Sequence, residues 1–509
     1  MDNQKHIQLN PKIVAFGLYF FALFLIVGKL FFETQFDAGT YTLKKFLLGT
    51  EENIETLRIG LPDQATTLNP FANDSAVRAR LLNVYEGLTR IDRDLKLEPG
   101  LAISYGALDD VTWEFRLRPE IYFHDGGRVT VDDVIFSLDS ARKSSSGVKD
   151  LLGTVDVIQK GGSDTLYIKT SEPDPLLPSK LAFIFIVSQN ANAGTGPYEI
   201  KKNENGILEL QRFEKYWGER PAYKNVVLKT IYKKDGKIAA LKNNDVDILA
   251  QLPADLGSGF SFKDFKLQKQ PSLEVNFLMF NFNGIFAEQK LRRAAKSALD
   301  TGELMRLAQG FAVPATQFVA NGIFGYDPEI EETARDLQPA KEIVANEKLT
   351  GIKLKLDLPR GLESFGKALE KQLEAVGLDS DTKFLNPSAL AKKIESGNSA
   401  DIYFFGWSTE LGDAFDFLTS VAHSREGEFG AFNGSNYSNP KTDELIESAQ
   451  KTMKSSERLN YLRSAMKRIT EEDIIGIPLF SPEILYAVSK DVEWKPRVDG
   501  YVLAQDVKM

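Results

Sequence analysis

Residues 13–32 read IVAFGLYFFALFLIVGKLFF and are apolar throughout, except for Lys29 near the end. About twenty apolar residues are enough to cross a bilayer as one helix, which satisfies its own backbone hydrogen bonds. Nothing else in the chain is comparably apolar. The expected organisation is therefore a short tail (1–12), one transmembrane helix (13–32), and everything else on the far side. Lys5 and Lys12 precede the run, while Glu33 and Asp37 follow it. Positive charge ahead of a span keeps the N-terminus inside. Lys29 can snorkel to the opposite interface. The run is long for the apolar part of a signal peptide, and no small-x-small cleavage site follows it. The expectation is an uncleaved, single-pass anchor in the cell membrane, with the rest of the chain extracytoplasmic, in the periplasm or at the cell surface.

Residues 33–55 read as a linker, and the pattern becomes globular from 56. Hydrophobic residues make up 43% of the chain, with 34 Phe and 16 Tyr, so there is ample material for a folded core. The net charge is −9 and no basic block occurs, which argues against nucleic acid as a partner. With no cysteine, disulfides, thiolate metal sites and cysteine nucleophiles are excluded. No GxSxG elbow, HExxH or phosphate-binding P-loop is present. The three histidines, His6, His124 and His423, are isolated from one another. His124 reads as a turn residue, and His423 with Glu426 and Glu428 as a solvated loop. No catalytic residue, metal site or cofactor is expected.

Period-two alternation predicts strands at 56–60, 111–117, 164–170, 208–213 and 226–231. Helical spacing predicts helices at 77–87, 130–143, 236–243, 288–310, 361–376, 440–453 and 456–469. Thr130 is placed to cap the second of these, with Asp132 and Asp133 favoured by the helix dipole in its first turn. Asn439 followed by Pro440 marks another helix start. Strands and helices are mixed, which indicates an α/β chain of more than one lobe.

Several segments carry a resemblance. WEFRLR at 113–118 is followed by IYFHDG at 121–126 and TVDDVIFS at 130–137. GTGPY stands at 194–198, with Arg212, Tyr216, Trp217 and Gly218 behind it. NDVDI at 244–248, LRRAA at 291–295 and DIYFFGW at 401–407 come next, then NYSNP at 436–440 and IPL at 477–479. In order and spacing this set resembles the extracytoplasmic solute-binding proteins of family 5, which include the oligopeptide-, dipeptide- and nickel-binding components of ABC transporters.

The resemblance implies a two-lobed periplasmic-binding-protein-like fold, type II, with an extra small domain. Lobe 1 would span 56–270, including the small domain at about 80–190; lobe 2 would span 271–481, and 482–509 would return to lobe 1. The implied function is a monomeric, non-enzymatic binding component that delivers peptides to ABC permease subunits by lobe closure. In the family an Asp shortly after the Gly-Trp pair holds the peptide's amino group. Glu410 stands there in this chain, with Asp413 and Asp416 as nearby substitutes. Trp407 is a candidate apolar face of the cleft, and Tyr198 beside Gly196 a candidate for hydrogen bonding to the ligand. No single cation is assigned to the ligand's carboxylate. Nickel chelates and oligosaccharides are alternative ligands on the same fold. A membrane-anchored hydrolase, or a sensor or chaperone without transport, is the alternative of another class.

Overall fold

The alternating and helical segments fold largely where their patterns predict. In the computed structural model, which describes residues 55–509 apart from 190–192 and 309, strands run over Thr56–Leu61, Thr112–Leu117, Thr165–Thr170, Ile207–Arg212 and Asn225–Thr230. The helix Val131–Arg142 has the predicted cap. Asp133 N–H donates to the Thr130 hydroxyl, while the Asp133 carboxylate accepts from Thr130 N–H. The periodic stretch at 288–310 is two helices, Gln289–Ala298 and Thr301–Ala308. Leu299 between them is extended (φ −87°, ψ 136°). Asp300 then starts the second helix by accepting from Glu303 N–H at 2.8 Å. A local cap thus interrupts a pattern that hydrophobic spacing alone would continue.

The expected anchor at 13–32 lies outside the described residues. Among the described residues no helix is long and apolar enough to cross a membrane.

One strand, Gly476–Ser489, organises the large sheet. Its first residues pair antiparallel with Glu274–Phe280, its middle with Ala312–Pro314, and its last half with Phe265–Pro271 and Ile248–Leu249. Beyond Glu274–Phe280 lie, in order, Ile402–Ser408, Ile352–Pro359 and Leu378–Leu385. Beyond Ile248–Leu249 lie Thr56–Leu61, Asn225–Thr230, Ile207–Arg212 and Tyr198–Glu204. The sequence GIPLFSPEILYAVS is apolar on both faces, as a central strand must be. Proline cannot donate to a ladder and belongs at irregular points. Accordingly, Pro478 sits where the pairing with Asn276 and Phe277 shifts register. Pro482 sits where the pairing partners change, its carbonyl accepting from Ser272 N–H at 2.8 Å.

The cores divide along this strand. Ile477, Leu479 and Phe480 belong to a core with Leu278, Leu354, Phe365 and Ile402. Tyr486 and Val488 belong to another with Leu57, Ile59, Val226 and Leu228. A separate four-stranded antiparallel sheet, Ala102–Asp109, Thr112–Leu117, Thr165–Thr170 and Val155–Lys160 in that order, packs with the helix Val131–Arg142 around Phe115, Leu138 and Ile168. This is the smaller domain. All these cores lie within one compact unit, Leu57–Met509.

Candidate ligand-binding cleft

A cavity of about 890 Å³ opens beside the crossing strands. Arg78, Glu86, Phe183, Trp217 and Tyr501 form one wall, and Ser272, Glu274, Ser408 and Glu410 come from the other lobe. Its size suits a small organic ligand or short peptide.

Arg78 lies on the short helix Ser75–Leu81, whose start is fixed by the Asp74 carboxylate accepting from Val77 N–H at 2.8 Å. The guanidinium donates to the carbonyls of Phe183 (3.2 Å) and Ala182 (3.0 Å) and stacks 3.9 Å from the Phe183 ring centre. Burial lowers its pKa to about 10, opposed by Tyr501, Glu410 and Asp499.

Glu86 is half-buried in the same wall. Its carboxylate accepts from the Thr195 hydroxyl at 2.8 Å, the Tyr216 hydroxyl at 3.0 Å and the Trp217 indole N–H at 3.0 Å. Burial raises its pKa, while these three donors and Arg90 oppose the rise. Glu86 thereby fixes the two rings on the cleft wall, and the Arg118 guanidinium lies 4.3 Å from the Trp217 ring centre. Arg78 and Glu86 were not singled out from the sequence. Tyr216 and Trp217 were, as part of the family pattern, but their partner lies 130 and 131 positions away.

Glu410 is exposed and follows the strand Ile402–Ser408 on a turn. Gly412 N–H donates to Thr409 carbonyl at 3.0 Å, and Gly412 has φ +71°, which suits glycine. The side chain borders both the main cavity and a smaller one of about 160 Å³.

The other candidates stand elsewhere. Asp413 is buried and ion-paired with Arg458 through contacts of 2.6 and 3.1 Å, and it accepts from Phe415 N–H at 2.9 Å. It anchors the turn that carries Glu410 and does not line the cleft. Asp416 accepts from the Trp407 indole N–H at 3.1 Å. It borders a separate cavity of about 180 Å³ shared with Asp174 and Lys180 of the smaller domain. Burial raises its pKa to about 6; Trp407 opposes this, and Glu410 and Asp413 add to it. Trp407 packs edge-on against Phe405, Phe417 and Phe432 at ring separations of 6.0, 6.4 and 5.4 Å. It is half-buried against the lobe core and does not line the main cavity. Tyr198 is fully buried, with its hydroxyl donating to Tyr223 carbonyl at 3.1 Å. Burial pushes that phenol far up.

Gly196 is buried too, its N–H donating to Val84 carbonyl at 2.9 Å. A Cβ there would lie 2.6 Å from the Val84 carbonyl carbon, so close backbone approach requires glycine. His124 accepts the expected turn role, with Nε2 3.0 Å from Gly196 carbonyl. His423 departs from expectation: it is 1% exposed, stacks on Phe429, and lies beside Asp443 and Glu447. Among the described residues no group of three or more His, Cys, Asp or Glu is placed to hold a metal ion.

Residues 96–429 match the family model described as bacterial extracellular solute-binding proteins, family 5 middle. The chain belongs to this family, the substrate-binding proteins of ABC importers. It is 26% identical over 467 residues to a protein named nickel-binding protein NikA of Staphylococcus aureus, spanning 88% of this chain and 92% of that relative. It is 25% identical over 461 residues to glutathione-binding protein GsiB of Escherichia coli K12, spanning 84% and 89%. The solved structure of HbpA2 from Haemophilus parasuis has the same fold: TM-score 0.81, 19% identity, 89% of this chain and 99% of that one.

Two consequences are measurable. Asp413→Asn leaves Arg458 buried without its counter-charge and should destabilise the protein by about 3–5 kcal/mol in denaturant unfolding. A loss under about 1 kcal/mol would contradict the anchoring role. For Asp416, the folded pKa of about 6 exceeds the ordinary 3.8, so the folded form holds its proton more tightly. Stability should therefore fall as pH rises from about 4 to about 6, by roughly 1–3 kcal/mol from this group, with no further loss above. Melting curves of Asp416→Asn across that range should lack this part of the wild-type slope.

Proposed function

We propose that the chain is the substrate-binding component of an ABC importer and captures peptides in the cleft between its lobes. The observation that carries this reading is the cavity itself, where Glu410 of one lobe and Arg78 of the other border the same space. A peptide presents an ammonium, a carboxylate and a polar backbone, and a cleft with both signs of charge satisfies all three. Glu410 holds the ammonium. Its extra methylene, relative to the family's Asp, lengthens the reach and keeps the charge. Glutathione, bound by the relative GsiB, is peptide-like in these groups. Ligand binds the closed form best and shifts the population toward it through the crossing strands.

The remaining assignments belong to the same reading. Lobe 1 spans 56–270 with the small domain inside it, lobe 2 spans 271–481, and 482–509 returns to lobe 1. Residues 13–32 anchor the monomer in the membrane that holds the permease subunits. The ligand is released unchanged, without catalysis. The second reading is a nickel chelate, favoured by the likeness to NikA.

A thermal-shift screen with peptides, sugars and nickel chelates separates these, because a ligand of the folded state raises the melting point by mass action. Peptides are expected to raise it and to be recovered intact. Glu410→Gln should weaken peptide binding by about tenfold or more while leaving the unliganded melting point unchanged. Unchanged affinity removes Glu410 from the site; a shift with nickel chelates alone replaces the ligand class. Mass spectrometry of the membrane-associated protein should find residues 1–32 retained, and a chain starting after 32 would overturn the anchor.

A further inference from the structure

The cleft arginines differ in how their charge is matched. Arg90 is paired with Glu98 at 2.9 Å, Arg220 with Glu214 at 3.0 Å, and Arg497 with Asp499 at 2.6 Å and Asp506 at 3.4 Å. Arg78 has no such partner among the described residues. Two of its N–H groups go to backbone carbonyls, Phe183 and Ala182, which carry no net charge. The same contacts and the Phe183 ring hold the guanidinium in one plane. Its other N–H groups remain for a planar oxyanion, the geometry arginine recognises best.

We infer that Arg78 reads a carboxylate of the bound ligand, so that peptides with a free carboxylate are selected over neutral or amidated ones. This rests on the peptide reading above. Preorganisation is the reason to single out Arg78. Holding the guanidinium against Phe183 before binding avoids the ordering loss that a flexible cation incurs. The neighbouring acids fit the same role. Glu410 and Asp499 lie near enough to bias the Arg78 charge, yet neither is in ion-pair contact with it. Arg93 also borders the cavity, and its buried Nε has no partner among the described residues, which makes it the rival cation.

The test uses the full-length protein and three tripeptides in calorimetric titration: one with a free C-terminus and no charged side chains, its C-terminal amide, and the amide with an internal glutamate. Wild type should bind at least one carboxylate-bearing peptide about tenfold to a hundredfold more tightly than the neutral amide. Whichever acid restores affinity, C-terminal or side-chain, names the source of the carboxylate. Arg78→Gln should abolish the preference, and Arg93→Gln should keep it. Losing two backbone contacts in Arg78→Gln can weaken all binding alike, but only a carboxylate reader changes the ratio between acid and amide. The inference fails if wild type binds acid and amide equally, if Arg78→Gln retains the ratio, or if Arg93→Gln is the variant that loses it. If wild type binds none of the three, the peptide reading itself fails, and the inference with it.

Discussion

A single fourteen-residue strand, Gly476–Ser489, carries the connection between the lobes. Backbone hydrogen bonds must be paired when buried, and this strand pairs first with lobe 2 and then with lobe 1 along one uninterrupted run. Its side chains enter the cores of both. Gly476 shows how tightly the first half is fitted: a Cβ there would lie 2.3 Å from Leu278 carbonyl. With Phe265–Pro271 alongside, a paired crossing joins two separately packed lobes. The pairing partners change at Ser272 and Pro482, which are joined by the Ser272 N–H donating to the Pro482 carbonyl.

That division explains why the cleft is charged on both sides. Each lobe packs around its own apolar core, so the facing walls need not be hydrophobic. Polar contacts support the walls from within. The pair of Asp413 and Arg458 fixes the Glu410 turn, and Glu86 fixes Tyr216 and Trp217. Asp413 and Arg458 are buried and satisfied, Glu86, Tyr216 and Trp217 are half-buried and paired, and Glu410 stays exposed.

Much of this was legible in the sequence, because it depends on local patterns. The Thr130 cap, the Asn439-Pro440 helix start and the five strands read from alternation follow from side chains a few positions apart. The ordered motifs pointed to the family, and so to the fold. Legibility ended where partners are distant. DIYFFGW is apolar enough to be core or cleft wall, and only the packing of Phe417 and Phe432 draws Trp407 against the core. The three acids after Trp407 look alike as a string, yet Arg458, 45 positions away, claims Asp413. Gly196 and Tyr198 belong to a turn whose close approach to Val84 demands glycine, and that turn faces inward. Arg78 was hidden for the same reason, since its carbonyl partners lie 104 and 105 positions on.

A ligand held between the lobes should draw them together. Small-angle X-ray scattering of the protein, alone and saturated with a peptide found to bind, measures this directly. Closure predicts a smaller radius of gyration with peptide and a narrower distance distribution, both reversed on removing the ligand. Saturable peptide binding with unchanged scattering would contradict capture by lobe closure.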